Sequence, residues 1–244
     1  MKRHFPSRLI AAMAILAVAL AVCPHALARW GEKVPNRQYA DLKAWHLGFS
    51  VGVHTQDLNF THNGFVTPDG GEWQVEIPSF SPGICVNVLA DLRLHDYFNI
   101  RFTPGMYFGS KMAKMLEYHS GQTISQDIKS AYVAMPLDLK VSGTRLGNTR
   151  PYFTLGVMGT LDISKKRSEA LMFKSFTPYL TVGMGCDFYL PFFKLIPEIK
   201  FCFGLGDILR HDRPDLDEDP RTFEITQSLA KATSNLVIIN FYFE

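Results

Sequence analysis

Little in this chain announces a function by its presence. Its four cysteines in 244 residues are too few and too scattered for a disulfide framework, and their spacing fits no zinc pattern. Neither charge dominates, with 25 basic residues against 23 acidic ones, so the electrostatic footprint of a nucleic-acid binder or a polybasic membrane-surface protein is missing. Beyond residue 28 no apolar run approaches the ~18 to 20 residues of a membrane-spanning helix. The richest stretch, residues 188–197, is interrupted by Pro191 and Lys194.

The N-terminus reads as a leader. Lys2, Arg3 and Arg8 flank an uncharged apolar run over residues 9–22, and Ala26-Leu27-Ala28 supplies the small residues of a signal-peptidase site. Residues 1–28 are therefore expected to be a secretory signal peptide, with the mature chain starting near Arg29. Loss of Lys2, Arg3 and Arg8 leaves 22 basic and 23 acidic residues. A lipoprotein anchor at Cys23 is the alternative, but Val22 before it and Pro24 after it suit lipidation poorly. The remaining Cys85, Cys186 and Cys202 all fall inside predicted strands.

What the mature chain does have is alternation. From Trp45 to Glu244 about eight strand-length stretches place an apolar residue at every second position. The predicted strands cover residues 45–54, 83–93, 97–109, 128–142, 151–161, 177–190, 194–208 and 235–244. In the sixth, Leu180, Val182, Met184, Cys186, Phe188 and Leu190 oppose Tyr179, Thr181, Gly183, Gly185, Asp187 and Tyr189. In the seventh, Leu195, Pro197, Ile199, Phe201, Phe203 and Leu205 oppose Ile196, Glu198, Lys200, Cys202, Gly204 and Gly206. Six apolar residues on one face span roughly ten steps of ~3.3 Å, which a ~40° tilt projects to ~25 Å, the height of an outer-membrane apolar band.

A soluble β-sandwich would alternate too, but its polar face would be solvated. Here the polar face is small, hydroxylated, aromatic or charged with both signs, which suits a narrow packed lumen. Connections of about 28, 18, 15 and 26 residues alternate with short ones near His95, residues 143–150 and Pro191, as in outer-membrane barrels with long outer loops and tight periplasmic turns. Two aromatic girdles are expected: Tyr97, Phe98, Tyr152, Phe153, Phe192, Phe193, Phe241 and Phe243 at the periplasmic side, and Phe80, Tyr107, Phe108 and Phe176 at the outer side. The expected fold is all-β: an eight-stranded antiparallel up-and-down transmembrane barrel over residues 45–244, preceded by a short periplasmic segment, residues 29–44.

On this register eight charges point inward: Asp91, Arg93, Arg101, Asp138, Lys140, Asp187, Glu198 and Lys200. All lie toward the periplasmic strand ends, and a lumen of eight strands is just wide enough to be filled by side chains, so the charges must pair or suffer a large desolvation cost. The expectation is a sealed ion-pair plug, with Asp91 and Arg101 neighbours across the tight turn at His95. Gly183, Gly185, Gly204 and Gly206 suggest an emptier lumen toward the outside. A plug opposes a diffusion pore, and paired carboxylates are pushed away from the pKa range of general acids.

Other candidate sites are weak. Asp215, Asp217 and Asp219 alternate as calcium ligands could, but lack the glycine and distal glutamate of the helix-loop-helix site and sit among Arg210, Arg213 and Arg221. His119-Ser120 would suit a lipid-modifying barrel enzyme only with a third partner that the sequence does not place. Asn59-Phe60-Thr61 matches the nearly non-specific glycosylation triplet. No catalytic, metal or cofactor site is expected.

Longer strings resemble the PorT family of type IX secretion. They are Pro35-Asn36-Arg37, Tyr39-Ala40-Asp41-Leu42-Lys43, His46-Leu47-Gly48-Phe49, Gln56-Asp57, Ala90-Asp91-Leu92-Arg93-Leu94 and residues 97–104, then Ile128-Lys129-Ser130, Met135-Pro136-Leu137 and Arg150-Pro151-Tyr152. The resemblance is densest in residues 185–198 and 200–213 and extends over nearly the whole mature chain. It implies an outer-membrane barrel needed to export cargo with a C-terminal sorting domain, with outer-membrane lipid and other secretion-system proteins as partners. It supplies no catalytic residue. The competing functions are a lipid-modifying enzyme and a surface adhesin or anchoring barrel.

Overall fold

Alternation carries the chain into ten strands of one antiparallel sheet: β1 (Trp45–His62), β2 (Trp73–Glu76), β3 (Gly83–Arg93), β4 (Phe98–Phe102), β5 (Gly105–Glu117), β6 (Thr123–Ser142), β7 (Thr149–Asp162), β8 (Phe176–Tyr189), β9 (Lys194–Gly204) and β10 (Leu229–Phe243). The computed structural model describes residues 35–62, 73–76, 81–117, 123–164, 174–209 and 229–244. The expected signal peptide, Cys23, Phe80, His119-Ser120 and the Asp215, Asp217 and Asp219 loop lie outside the described residues. No described helix is long and apolar enough to cross a membrane.

The sheet closes on itself, because β1 pairs with β10 on one edge and with β3 on the other. β2 and β3 both pair with one edge of β5, and β4 and β5 both pair with β6, so the ten strands form eight staves. Closure also fixes the size. Perpendicular partners lead from Asp57 through Asn235, Phe203, Leu180, Val157, Leu137, Phe102 and Ala90 back to β1 at Leu47. The return point is displaced by ten residues, from 57 to 47. With ~3.3 Å per residue and ~4.8 Å between strands, that displacement over eight staves gives a strand tilt of about 40° and a backbone radius of about 8 Å.

The two faces separate as the alternation requires. In β8, Tyr179, Thr181, Asp187 and Tyr189 are buried inward, while Leu180, Val182 and Phe188 are exposed outward. Trp45, Leu47, Phe49, Val51 and Val53 of β1 likewise face out. In a soluble protein such a band would be an aggregation hazard, whereas in hydrocarbon it is the favourable face. Neighbouring staves pair their backbone polar groups around the closed ladder, the condition for crossing a bilayer with strands.

Three expectations need correction. The strand predicted over residues 97–109 is broken at Thr103-Pro104. Thr103 N–H donates to Pro136 O (3.2 Å) and Val88 N–H to Pro104 O (2.9 Å), but a proline has no N–H to give back, so each pairing keeps one bond in place of two. The long connections are shorter than expected because strands run past the apolar band: β1 reaches His62, β6 begins at Thr123 and β10 at Leu229, pairing as far as Thr61↔Lys231 and Leu116↔Thr123. Beyond the lipid the outward face turns polar, as at Asp57, Asn59 and Thr61, while Leu58 and Phe60 are buried inward, so the outward apolar pattern ends before the strand does. Finally, Tyr107 and Tyr152 are buried in the lumen and belong to neither girdle. Phe98, Phe108, Phe153, Phe176 and Phe241 do face outward.

This register generates a paired test. Val182→Arg puts a guanidinium on the lipid face and is expected to weaken folding in lipid vesicles by about 2–4 kcal/mol near the midplane. Thr181→Arg enters the filled lumen, where Thr181 is wholly buried, and is expected to abolish the folded, heat-modifiable band. Urea titrations of both variants check this; equal losses at the two positions contradict the register.

Candidate functional site

The inward residues form two layers. Nearest the short turns, ionic side chains fill the lumen around Arg101 on β4. Arg101 Nε and Nη2 donate to Asp91 Oδ2 (3.2 and 3.1 Å), and Nη1 donates to Glu198 Oε2 (2.8 Å) and the Tyr152 hydroxyl (3.2 Å). Its guanidinium lies between the Tyr152 and Tyr242 rings, 5.0 and 5.2 Å from their centroids. The Asp91 and Arg101 pair spans the β3–β4 turn, as alternation on both strands requires. Asn99 donates to the other Asp91 oxygen (2.7 Å).

From this centre the network spreads to every side of the lumen. Glu198 accepts the Tyr152 and Tyr242 hydroxyls (2.7 and 3.2 Å) and lies 3.3 Å from Lys200. Lys200 donates to Asp138 Oδ2 (2.6 Å), whose other oxygen accepts Thr181 Oγ1 (2.6 Å). Lys140 donates to both oxygens of Asp187 (3.0 and 2.8 Å) and sits 4.2 Å from the Tyr152 ring centroid. Each carboxylate thus meets a cation and at least one further donor or cation, the arrangement in which buried charge is tolerated.

Seven of the eight candidate charges, Asp91, Arg101, Asp138, Lys140, Asp187, Glu198 and Lys200, are buried in this lumen. Arg93 is not. At the last position of β3 its side chain leaves the lumen for the rim, where it pairs with Asp96 and donates to Leu42 O (3.2 Å). Three members escaped the sequence reading. Lys194 bridges Asp187 (3.3 Å) and Glu244 (3.1 Å), and Glu244 accepts from His46 Nδ1 (2.7 Å). Their signal was parity, because Lys194 shares a face with Glu198 and Lys200, and Glu244 with Tyr242.

Beyond the ions toward the longer loops, the lumen is packed with Cys85, Tyr107, Ala134, Met158, Tyr179, Cys202, Leu236 and Ile238. The emptier outer lumen suggested by the glycines is therefore not found. A Cβ on Gly183 would meet Thr154 Oγ1, and one on Gly185 the Tyr152 hydroxyl, so these glycines make room for neighbouring side chains. Among the described residues, cavities of about 20 Å³ beside Gln56, Tyr132 and Tyr179 and about 10 Å³ beside Lys140 and Asp187 are of the size of a water molecule. Cys85, Cys186 and Cys202 are free thiols. Among the described residues no three His, Cys, Asp or Glu side chains are grouped to hold a metal.

The segment before β1, expected only as a periplasmic stretch, is a cap over the mouth. Asn36 N–H donates to Asn148 Oδ1 (2.8 Å), Asn36 Nδ2 to Tyr189 O (3.0 Å) and Arg37 Nη1 to Glu244 O (3.0 Å). A 3-10 turn, Ala40–Leu42, then directs Asp41 inward. There the carboxylate accepts the Tyr189 hydroxyl (2.5 Å) and pairs with Arg145 (3.3 Å) and Arg150 (3.6 Å). Arg145 stacks on the Tyr189 ring at 3.6 Å and donates to Asn36 O. At the rim, the Arg93 hydrogen bond and charge hold the Asp96 carboxyl below its ordinary range. Burial alone would raise the Glu244 carboxyl, but the His46 hydrogen bond and the Lys194 charge bring it down to about 2. The contribution of that anchor to stability is complete above pH 4.5 and is lost as pH falls toward 2.

Residues 35–210 match the model of the family described as outer membrane protein beta-barrel domain. No curated protein matches the chain. Among solved structures, Neisserial surface protein A is similar over 82% of this chain and 98% of its own, with 9% identity and a TM-score of 0.40. The attachment invasion locus protein Ail of Yersinia pestis, in complex with the heparin analogue sucrose octasulfate, is similar over 82% and 99%, with 8% identity and a TM-score of 0.37. With the family matched over most of its length, the chain belongs to the outer membrane protein β-barrel domain family and is an outer-membrane barrel.

Proposed function

We propose that this barrel is a non-enzymatic outer-membrane component of the type IX protein secretion machinery, needed for export of cargo with a C-terminal sorting domain, and matured by removal of residues 1–28. One observation carries the reading: several of the strings that resemble the PorT family supply residues of the lumen plug and of the cap. Residues 185–198 supply Asp187, Lys194 and Glu198; residues 90–94 and 97–104 supply Asp91 and Arg101; residues 36–43 make the cap. Filling a lumen does not by itself demand that constellation, since the apolar layer fills its own half with no ion at all.

A stoppered lumen argues against this chain as the conduit for cargo and favours a role through its partners. Those partners are other proteins of the secretion machine and the surrounding lipid, with no nucleic acid and no cofactor. The lumen carboxylates Asp91, Asp138, Asp187 and Glu198 are each engaged by a cation, which makes them poor general acids or bases.

Deleting the gene is expected to leave sorting-domain cargo unsecreted and unprocessed; cargo reaching the cell surface normally in the deletion strain would sink the proposal. Arg101→Ala removes the partner of Asp91 and Glu198 together and is expected to cost about 3–5 kcal/mol of folding stability, read by urea titration. Because the apolar layer is untouched by that change, both the unaltered protein and the variant are expected to give no conductance steps in planar bilayers.

A further inference from the structure

The short-turn end carries a surface that the barrel itself does not need. Ala40 is buried beneath the cap, while Tyr39 and Leu42 on its far side are 75% and 62% exposed. In the turns around them Leu146 and Phe192 are 63% and 94% exposed. The partners of the cap lie on β3, the β6–β7 turn, the end of β8 and the end of β10, so it crosses the mouth from one wall to the other. Tyr39 and Leu42 therefore belong to the segment that spans the mouth, exposed on its face away from the buried Ala40.

The same face is positively charged. Among the described residues Arg37, Lys43, Arg93, Arg145 and Arg150 stand against Asp41 and Asp96, an excess of three cations, and both carboxylates are already engaged. Short turns of outer-membrane barrels lie in the periplasm. We propose that this face is the docking surface for an acidic segment of a periplasmic protein, whose apolar side chains cover Tyr39 and Leu42 and whose carboxylates meet the surplus cations. Asp41 displays the binding mode within the chain itself, one carboxylate gripped by two guanidinium groups and a tyrosine hydroxyl. Anionic lipid headgroups fit less well, because they gather around the rim and not over the axis. The docking surface does not depend on the export role; it follows from the cap and its charge.

The test places a benzophenone side chain at Tyr39 of the full-length protein in living cells, with one at Val182 as the lipid-facing control. Irradiation is expected to give a discrete protein adduct from position 39 and none from 182, with the crosslinked partner peptide, identified by mass spectrometry, rich in Asp and Glu. Lys43→Glu and, separately, Phe192→Ser are each expected to reduce the adduct at least about five-fold while the heat-modifiable band is retained. Phe192 is almost wholly exposed, so its replacement tests the surface even where a cap variant fails to fold. No adduct, an adduct with lipid only, a crosslink internal to the chain, a partner peptide without acidic residues, or an adduct unchanged in both variants overturns the proposal. Normal secretion with the adduct present removes only the export reading, and lost secretion with no adduct removes only the docking surface.

Discussion

The burial of Arg101 is the constraint on which the rest of the structure turns. Eight staves with a displacement of ten residues leave a bore of about 8 Å backbone radius, which side chains fill. A guanidinium placed there cannot keep its hydration and cannot be neutralised by losing its proton. Two carboxylates, two aromatic faces and a phenol must therefore come to it from four other staves, and each brings requirements of its own. Glu198 leaves an oxygen for Lys200, Lys200 leaves a charge for Asp138, and the shell grows until it reaches the rim at Glu244 and His46. Register is specified by the same means, because a slip of one residue would turn every one of these ions into the lipid.

The apolar layer above has a different job. A lumen filled only by ions would offer a polar path along its length, whereas Tyr107, Met158, Leu236 and Ile238 pack across the bore above the ions. Inner residues of a membrane barrel are expected to be polar, and here an apolar cluster crosses the bore among buried hydroxyls such as Ser130, Thr160, Thr177 and Ser234. Both layers share one economy of space: glycines accept the side chains of adjacent staves, as Gly183 does for Thr154 and Gly105 for Asn87.

Much of this was legible in the order of residues, for a physical reason. Where a strand separates hydrocarbon from a filled lumen, each position has one acceptable chemistry, so β8 and β9 reveal both faces and the Asp91 and Arg101 pair follows from parity. Legibility fails where the environment stops being binary. Past the apolar band the faces exchange chemistry: in β1 Leu58 and Phe60 are buried inward while Asp57, Asn59 and Thr61 are exposed, so a reading that follows an outward apolar face stops short of the strand's end. Tyrosine suits an interface and a lumen equally, so Tyr107 and Tyr152 could not be sorted by type. Lys194 was hidden by the apolar residues on either side of it, Phe193 and Leu195. The cap left no alternation to read, because residues 36–43 hold their place through contacts with residues 51 to 207 positions away.

That last separation sets an order of events. Asn36 binds Asn148 and Tyr189, 112 and 153 positions along the chain, and Arg37 binds the backbone of Glu244, 207 positions along. Contacts so distant cannot form until the intervening chain has been placed. The segment ahead of β1 is thus held by the far end of the chain, and the Arg37 bond to Glu244 ties it to the strand whose pairing with β1 leaves the cylinder no free edge.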